Sequence, residues 1–255
     1  MIELSDLSVW MINLDRAVPR RDAVEARLAA LGLKYTRFSA VDGAAEWETL
    51  VPSVDIAAFQ RNTGRDVMKG EIGCYHSHLR VWRMLVQSNA PMALVLEDDV
   101  VFHDDFLGAL KLAIAQADNW DFLKFNKIRA KHPQLKFSAE SYDFNAYRGP
   151  STGFGCYLIK RELAARLIPA MTPITRPIDI EADRIHVHHY RHLGIEPFPS
   201  HVDDDNVSTI TGANYSNVRK HPWYRRLPAY ALRWQNLWEK SRYLKGNGPN
   251  TPSPK

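Results

Sequence analysis

Apolar residues in this chain follow two patterns. Short unbroken runs such as Val9-Trp10-Met11-Ile12 and Met92-Ala93-Leu94-Val95-Leu96 predict buried strands, and recurrence every three or four positions predicts helices between them. Strands are expected near residues 8–14, 35–39, 92–96, 122–125 and 155–159, with helices near 19–31, 72–87, 105–117 and 161–170. Pro19 suits a first helical turn, Val24, Leu28 and Leu31 continue one apolar face, and Gly32 stops the helix. The alternation predicts an α/β fold: a mostly parallel sheet flanked by helices in a single Rossmann-like domain. Residues 44–69 show weak periodicity, and a connection that long is read as a substrate-covering loop.

The run ending in Leu96 delivers three acids, Glu97, Asp98 and Asp99, to the carboxyl end of a strand, where α/β sheets bind ligands. In extended chain Glu97 and Asp99 face one side and Asp98 the other, so two oxygen ligands can converge on one hard cation. Acids at a strand end also cap or turn the next segment, and the triplet alone leaves both readings open. Upstream, Gly70-Glu71-Ile72-Gly73-Cys74-Tyr75-His76-Ser77-His78 reads as a glycine-broken entry into a helix.

Composition changes little in this picture. The 255 residues are 45% hydrophobic and 24% charged, enough to bury a full core, and no internal repeat interrupts them. Nothing resembles a leader peptide or a membrane span, so a cytosolic protein is expected. Cys74 and Cys156 stand far apart in apolar-looking segments and are read as reduced thiols, with Cys74 placed to line a site.

Four motifs carry a family likeness: Val9-Trp10-Met11-Ile12-Asn13-Leu14-Asp15-Arg16, Phe38-Ser39-Ala40-Val41-Asp42-Gly43, the Gly-Cys-x-x-Ser-His element at Gly73, and Leu96-Glu97-Asp98-Asp99. Over about residues 8–210 the chain resembles glycosyltransferase family 25, the lipooligosaccharide galactosyltransferase family that includes collagen galactosyltransferases. The resemblance implies a GT-A-type fold, a single nucleotide-sugar-binding domain, and Mn²⁺ or Mg²⁺ stabilising a departing diphosphate. Glu97 and Asp99 are then the expected metal ligands, directly or through water, with Asp98 turned toward the sugar or ribose. Asn13, Leu14, Arg16, Arg20 and Arg21 follow the first strand, where amides and guanidinium forks can meet a nucleotide, although Arg20 and Arg21 also fit a solvated helix surface. The likeness makes Asp42 a nucleoside contact beside the turn residue Gly43, and Ser77 and His78 donor contacts; a satisfied buried histidine is the alternative for His78. Read from the residues alone, His201 or Asp203 could complete the metal or phosphate site, with a polar surface turn as the equal alternative.

Displacement at an anomeric carbon needs a base for the acceptor hydroxyl. Asp179, in Pro177-Ile178-Asp179-Ile180, resembles the family's Pro-Val-Asp element and is the expected base, with a helix N-cap as its other reading and Glu181 and Asp183 as substitutes. The sequence departs from the family pattern at His186, His188, His189 and His192. His188 and His192 have zinc-compatible helical spacing, but a solvated or acceptor-facing helix is the reading taken.

The chain divides into a catalytic domain at residues 1–218, a basic-aromatic helical segment at 219–245 and a disordered tail at 246–255. Net charge is +4. Leu227, Tyr230, Trp234, Leu237, Trp238 and Leu244 at helical spacing, among basic residues, suit either an anionic membrane surface or packing on the core. No nucleic-acid motif accompanies the charge. The expected function is hexose transfer, galactose from UDP-galactose, to a lipooligosaccharide or related glycolipid or oligosaccharide acceptor, metal-assisted and inverting. It would take place in the bacterial cytoplasm or at the inner face of the cytoplasmic membrane. A noncatalytic carbohydrate- or polyanion-binding module on the same fold is the alternative.

Overall fold

The apolar runs become the strands of one mixed sheet in the computed structural model, whose described residues are 3–203 and 220–246. The first part of the chain gives β1 (Ser8–Asn13), α1 (Val18–Ala30), β2 (Thr36–Ser39), α2 (Trp47–Leu50), α3 (Ile56–Thr63), α4 (Lys69–Gln87) and β3 (Met92–Glu97). The middle gives β4 (Val100–Phe102), α5 (Phe106–Ala115), β5 (Phe122–Lys124), β6 (Arg129–Ala130), β7 (Pro133–Ala139), β8 (Tyr142–Tyr147), β9 (Ser151–Thr152) and β10 (Cys156–Lys160). It closes with α6 (Arg161–Leu167), α7 (Ile178–Ala182), α8 (Ile185–His188), β11 (His192–Glu196), β12 (Ser200–Val202) and α9 (Leu227–Gly246).

The main sheet has eight strands in the order β2, β1, β3, β10, β5, β11, β8, β7. β2, β1, β3, β5, β11 and β7 point one way; β10 and β8 oppose them. Both faces are covered at the centre, so every side chain from Met92 to Leu96 is buried, the arrangement an unbroken apolar run anticipates. From β1 the chain steps outward through α1 to β2, then returns past β1 through α4 to β3. Right-handed crossovers put those two helices on opposite faces. The carboxyl ends of β1 and β3 therefore flank a point where strand order reverses, which is where such sheets leave a crevice.

Residues 44–69 are not an open covering loop. α2 and α3 occupy much of the segment and sink Leu50 and Phe59 into the core. Asp55 caps α3 by accepting from the Ala58 amide at 2.9 Å, and Gly64 closes it at a φ of 73°, a conformation glycine adopts freely. Helices this short show too few turns for periodicity to register.

The histidine-rich stretch also differs. α8 stops at His188, His189 turns left-handed, and His192 is buried in β11, so His188 and His192 share no helix face. α9 packs back on the domain against α3 and α8 through Ala229, Lys240 and Leu244. Trp234 and Trp238 stay 73% and 59% exposed, so the helix buries a different face from its aromatic one. The boundary at 218 lies outside the described residues, as does the tail expected at 246–255 except for Gly246, which is the last residue of α9.

Candidate active site

A cavity of about 360 Å³ opens at the strand-order reversal, within the size of small-ligand sites. Leu14, Arg16 and Arg20 enter it after β1, Ala40 to Ala44 after β2, Glu97 to Asp99 after β3, and Lys69, Cys74, Ser77 and His78 from α4. Two glycines let the β2 turn lie directly on α4. A Cβ on Gly43 would stand 1.8 Å from the Lys69 carbonyl oxygen, and one on Gly73 would stand 2.5 Å from that of Val41. Ser77 ties the two together, its hydroxyl accepting from the Val41 amide and donating to the Gly73 carbonyl, each at 2.8 Å. Both bonds hold the turn, so Ser77 acts on the site through the backbone beside Asp42. Asp42 accepts from the Ala44 amide at 3.0 Å and pairs with Arg16.

β3 ends at Glu97, and Asp98 and Asp99 lie in the turn that follows, so strand alternation does not carry through the triplet. Arg20 bridges the two aspartates instead, at 2.5 and 2.8 Å, and is only 12% exposed, while Arg21 pairs with Asp22 at the surface. Asn13 is buried, does not line the cavity, and donates to Asp98 at 2.6 Å; Arg37 fixes that amide by donating to its oxygen at 2.9 Å. Burial raises the Asp98 carboxyl against the pull of Arg20 and Asn13. Burial and the neighbouring Glu97 push Asp99 up to about 7 despite Arg20.

Glu97 ends a directional chain of hydrogen bonds. Trp82 Nε1 can only donate, and it does so to the Tyr157 hydroxyl at 2.9 Å, leaving the phenol proton for His78 Nδ1 at 2.8 Å. His78 Nε2 then carries the ring proton and donates to Glu97 at 3.1 Å. Burial opposes ionisation of Glu97, but the His78 bond and the Arg20 charge outweigh it and hold the carboxyl below its ordinary value. His78 is thus a satisfied buried histidine at the cavity floor, orienting a carboxylate.

Of the three downstream acids, Glu181 is occupied by Arg176, Arg184 and His188 at 3.1, 2.8 and 3.0 Å, and Asp183 by Lys240 at 2.5 Å. Asp179 makes no ion pair among the described residues and accepts from the Gly153 amide at 3.0 Å. Pro177 holds the N-cap position of α7, so Asp179 is not a simple cap. It lies outside the cavity but near enough for its charge, after burial and Glu97, to help raise the Cys74 thiol. His201 is not brought to the acids. β12 pairs with β4 so that His201 opposes Val101, and its ring bonds His103 at 2.8 Å on the surface. Asp203 bonds the Asp99 carbonyl through its amide, and its carboxylate meets Arg27 at 3.5 Å.

The sequence profile described as "Glycosyltransferase family 25 (LPS biosynthesis protein)" matches residues 6–182. The chain belongs to glycosyltransferase family 25. A glycosyltransferase 25 family member of Anopheles gambiae is 28% identical over 218 residues, covering 83% of this chain and 36% of that protein. Human procollagen galactosyltransferase 2 is 29% identical over 136 residues, 49% of this chain and 22% of that one. Human inactive glycosyltransferase 25 family member 3 is 26% identical, covering 68% and 30%. The chain therefore spans only about a third of the length of relatives such as the mosquito protein. Among solved structures, apo mouse xyloside xylosyltransferase 1 is 14% identical at a TM-score of 0.34, covering 75% of this chain and 66% of its own.

For this family 25 chain, two donor sets could hold a cation. Cys74, His78 and Glu97 offer atoms within 4.8 Å of one another. Both His78 nitrogens are engaged, however, and burial pushes the Cys74 thiol well up, so His78 and Cys74 serve as hydrogen-bond partners of the Glu97 carboxylate. Asp99 Oδ1 is buried with no hydrogen-bond partner among the described residues. An orphaned anionic oxygen beside Glu97 fits a hard divalent cation. Sequence reasoning passed over Arg37 and Tyr157, which act only through partners distant in sequence. Lys124 was visible as a lone charge in the run Phe122-Leu123-Lys124-Phe125; it is fully buried and donates to the Thr152 carbonyl at 2.7 Å.

Proposed function

We propose that this family 25 chain is a metal-assisted hexosyltransferase that moves galactose from UDP-galactose to a lipooligosaccharide or related surface glycan with inversion. The observation that carries the reading is the pair of Arg20 contacts to Asp98 and Asp99 beside the unpartnered Asp99 oxygen, in a cavity that Arg16 and Lys69 also line. These groups offer cations to a diphosphate and carboxylates to its counter-ion. Mn²⁺ or Mg²⁺ held by Asp99 and Glu97 would supply Lewis-acid stabilisation to the leaving diphosphate. Arg20 can release the aspartates and turn its fork to phosphate oxygens. Leu14 and Asp42 bound the nucleoside end, and Asn13 with Arg37 fixes Asp98 toward the sugar. Asp179, without an ion pair among the described residues, takes the acceptor proton. The setting proposed is the cytoplasm or the inner face of the cytoplasmic membrane.

A thermal-shift panel of sugar nucleotides with and without Mn²⁺, followed by transfer assays, tests the reading. UDP-galactose with Mn²⁺ should give the largest shift, and Asp179→Asn should lower transfer at least 100-fold while donor binding changes little, because a base acts in the transition state. Equal loss of donor binding would give Asp179 a different role. One observation favours a second reading, a noncatalytic binding module: Arg20 already pairs with both aspartates, and a relative is named inactive. Failure of every sugar nucleotide to shift the melting temperature would favour the module.

A further inference from the structure

A second cavity, of about 340 Å³, lies between the β6–β9 pair, α7 and α9. Five basic side chains line it: Arg129, Arg148, Arg184, Arg233 and Lys240. Asp183 neutralises Lys240 and Glu181 meets Arg184, but Arg129, Arg148 and Arg233 have no carboxylate partner among the described residues. Arg184 Nε is buried there without a hydrogen-bond partner among the described residues. Three uncompensated guanidinium groups around one concavity match the planar, multidentate demand of a phosphoryl group.

The rim gives the context. Trp234 both lines this cavity and stands 73% exposed in a row with Tyr230 and Trp238, one helical turn to either side. Arg225, Arg226, Arg242 and Lys245 lie along the same segment, and its one acid, Glu239, is engaged by His186 and Gln235. An aromatic row flanked by unneutralised basic groups is complementary to an anionic bilayer: indole rings favour the interface, and cations favour its surface potential.

We propose that this cavity seats the phosphoryl group of a lipid headgroup while Tyr230, Trp234 and Trp238 lie in the membrane interface. The inference stands on binding alone and does not require transferase activity.

The intact chain is to be sedimented with phosphatidylcholine vesicles and with vesicles that also carry phosphatidic acid, with inorganic phosphate tested separately by thermal shift. Binding to the phosphatidic acid vesicles is expected. Arg148→Gln with Arg233→Gln should weaken it about 30-fold, the figure for two basic residues close to an anionic surface. Trp234→Ser with Trp238→Ser should weaken it further. Arg83→Gln with Lys111→Gln, an equal charge change at exposed positions elsewhere, should leave it within about threefold. All six positions are exposed, so the variants should melt with the parent. The proposal is overturned if the control pair loses as much as the Arg148 and Arg233 pair, since net charge alone then explains binding. It is equally overturned if inorganic phosphate raises the melting temperature while no vesicle binds, which would make the cavity a site for soluble anions.

Discussion

Asp99 holds a carboxylate in a place that disfavours its charge. Burial and Glu97 push its carboxyl up to about 7 although Arg20 pulls it down, and one oxygen has no partner among the described residues. Asp99→Asn keeps the volume and removes that anionic demand. The variant should lose Mn²⁺-dependent transfer on the order of 100-fold, the scale of several kcal/mol of Lewis-acid stabilisation, yet melt no lower than the parent without cation. Glu97→Gln should weaken transfer less. Unchanged activity and Mn²⁺ dependence in both variants would refute the ligand assignment. Lys124 is the opposite case, a fully buried amine whose pKa burial lowers to about 8 against the attraction of Asp179 and Asp183. Between about 8 and the ordinary value of 10.5, the unfolded chain keeps a proton that the folded chain has shed. Stability attributable to Lys124 therefore rises with pH across that window, by on the order of 3 kcal/mol. Urea unfolding of the parent and of Lys124→Met between pH 7 and pH 10.5 isolates the term. Parallel profiles would show that the amine is not desolvated as the fold implies.

At the scale of elements, the glycine contact between the β2 turn and α4 makes a prediction whose sign runs against helix propensity. Glycine to alanine inside a helix ordinarily stabilises by about 1 kcal/mol. At Gly73 the new Cβ would lie 2.5 Å from the Val41 oxygen and 2.6 Å from the Gly43 nitrogen, both backbone atoms. Gly73→Ala should destabilise by about 1–3 kcal/mol, the range for overpacking, and weaken nucleotide-sugar binding because the Asp42 turn must move. A higher melting temperature with intact donor binding would sink this account. The same elements mark what was legible in the sequence. β1, β3, α1 and α4 were readable because a strand buried on both faces is an unbroken apolar run, and a long amphipathic helix repeats its pattern several times. The β7–β8 hairpin and β11 gave no such signal, since β7 alternates exposed and half-buried residues and Gly194 and His192 interrupt β11. Within the site, the acids and the Asp42-Gly43 turn were legible from type and position. The Arg20 bridge, the Tyr157–His78–Glu97 chain and the departure of His201 arise from partners tens of residues apart, which no local pattern encodes.

For the whole molecule, the decisive feature is that the C-terminal helix is joined to the domain by a buried charge pair. Lys240 is 5% exposed, donates to the Gly149 carbonyl at 3.1 Å and meets Asp183 at 2.5 Å. Burial raises the Asp183 carboxyl, opposed chiefly by Lys240. Removing only the cation would strand an anion in a medium that solvates it poorly, so Lys240→Met should destabilise by about 3–5 kcal/mol and lower the melting temperature on the order of 10 °C. Asp183→Asn in that background should recover much of the loss, because the amide carries no charge to desolvate. That non-additivity separates a charge pair from mere packing, since a helix attached through Ala229 and Leu244 alone would give additive effects. Asp183 caps α7 one helical turn after Asp179, and Arg184 beside it lines the second cavity, so α7 joins the proposed base to the α9 surface. If the pair holds that arrangement, Lys240→Met should also lower transfer to a glycolipid acceptor in vesicles more than transfer to a soluble one. Equal losses on both acceptors would confine Lys240 to stability.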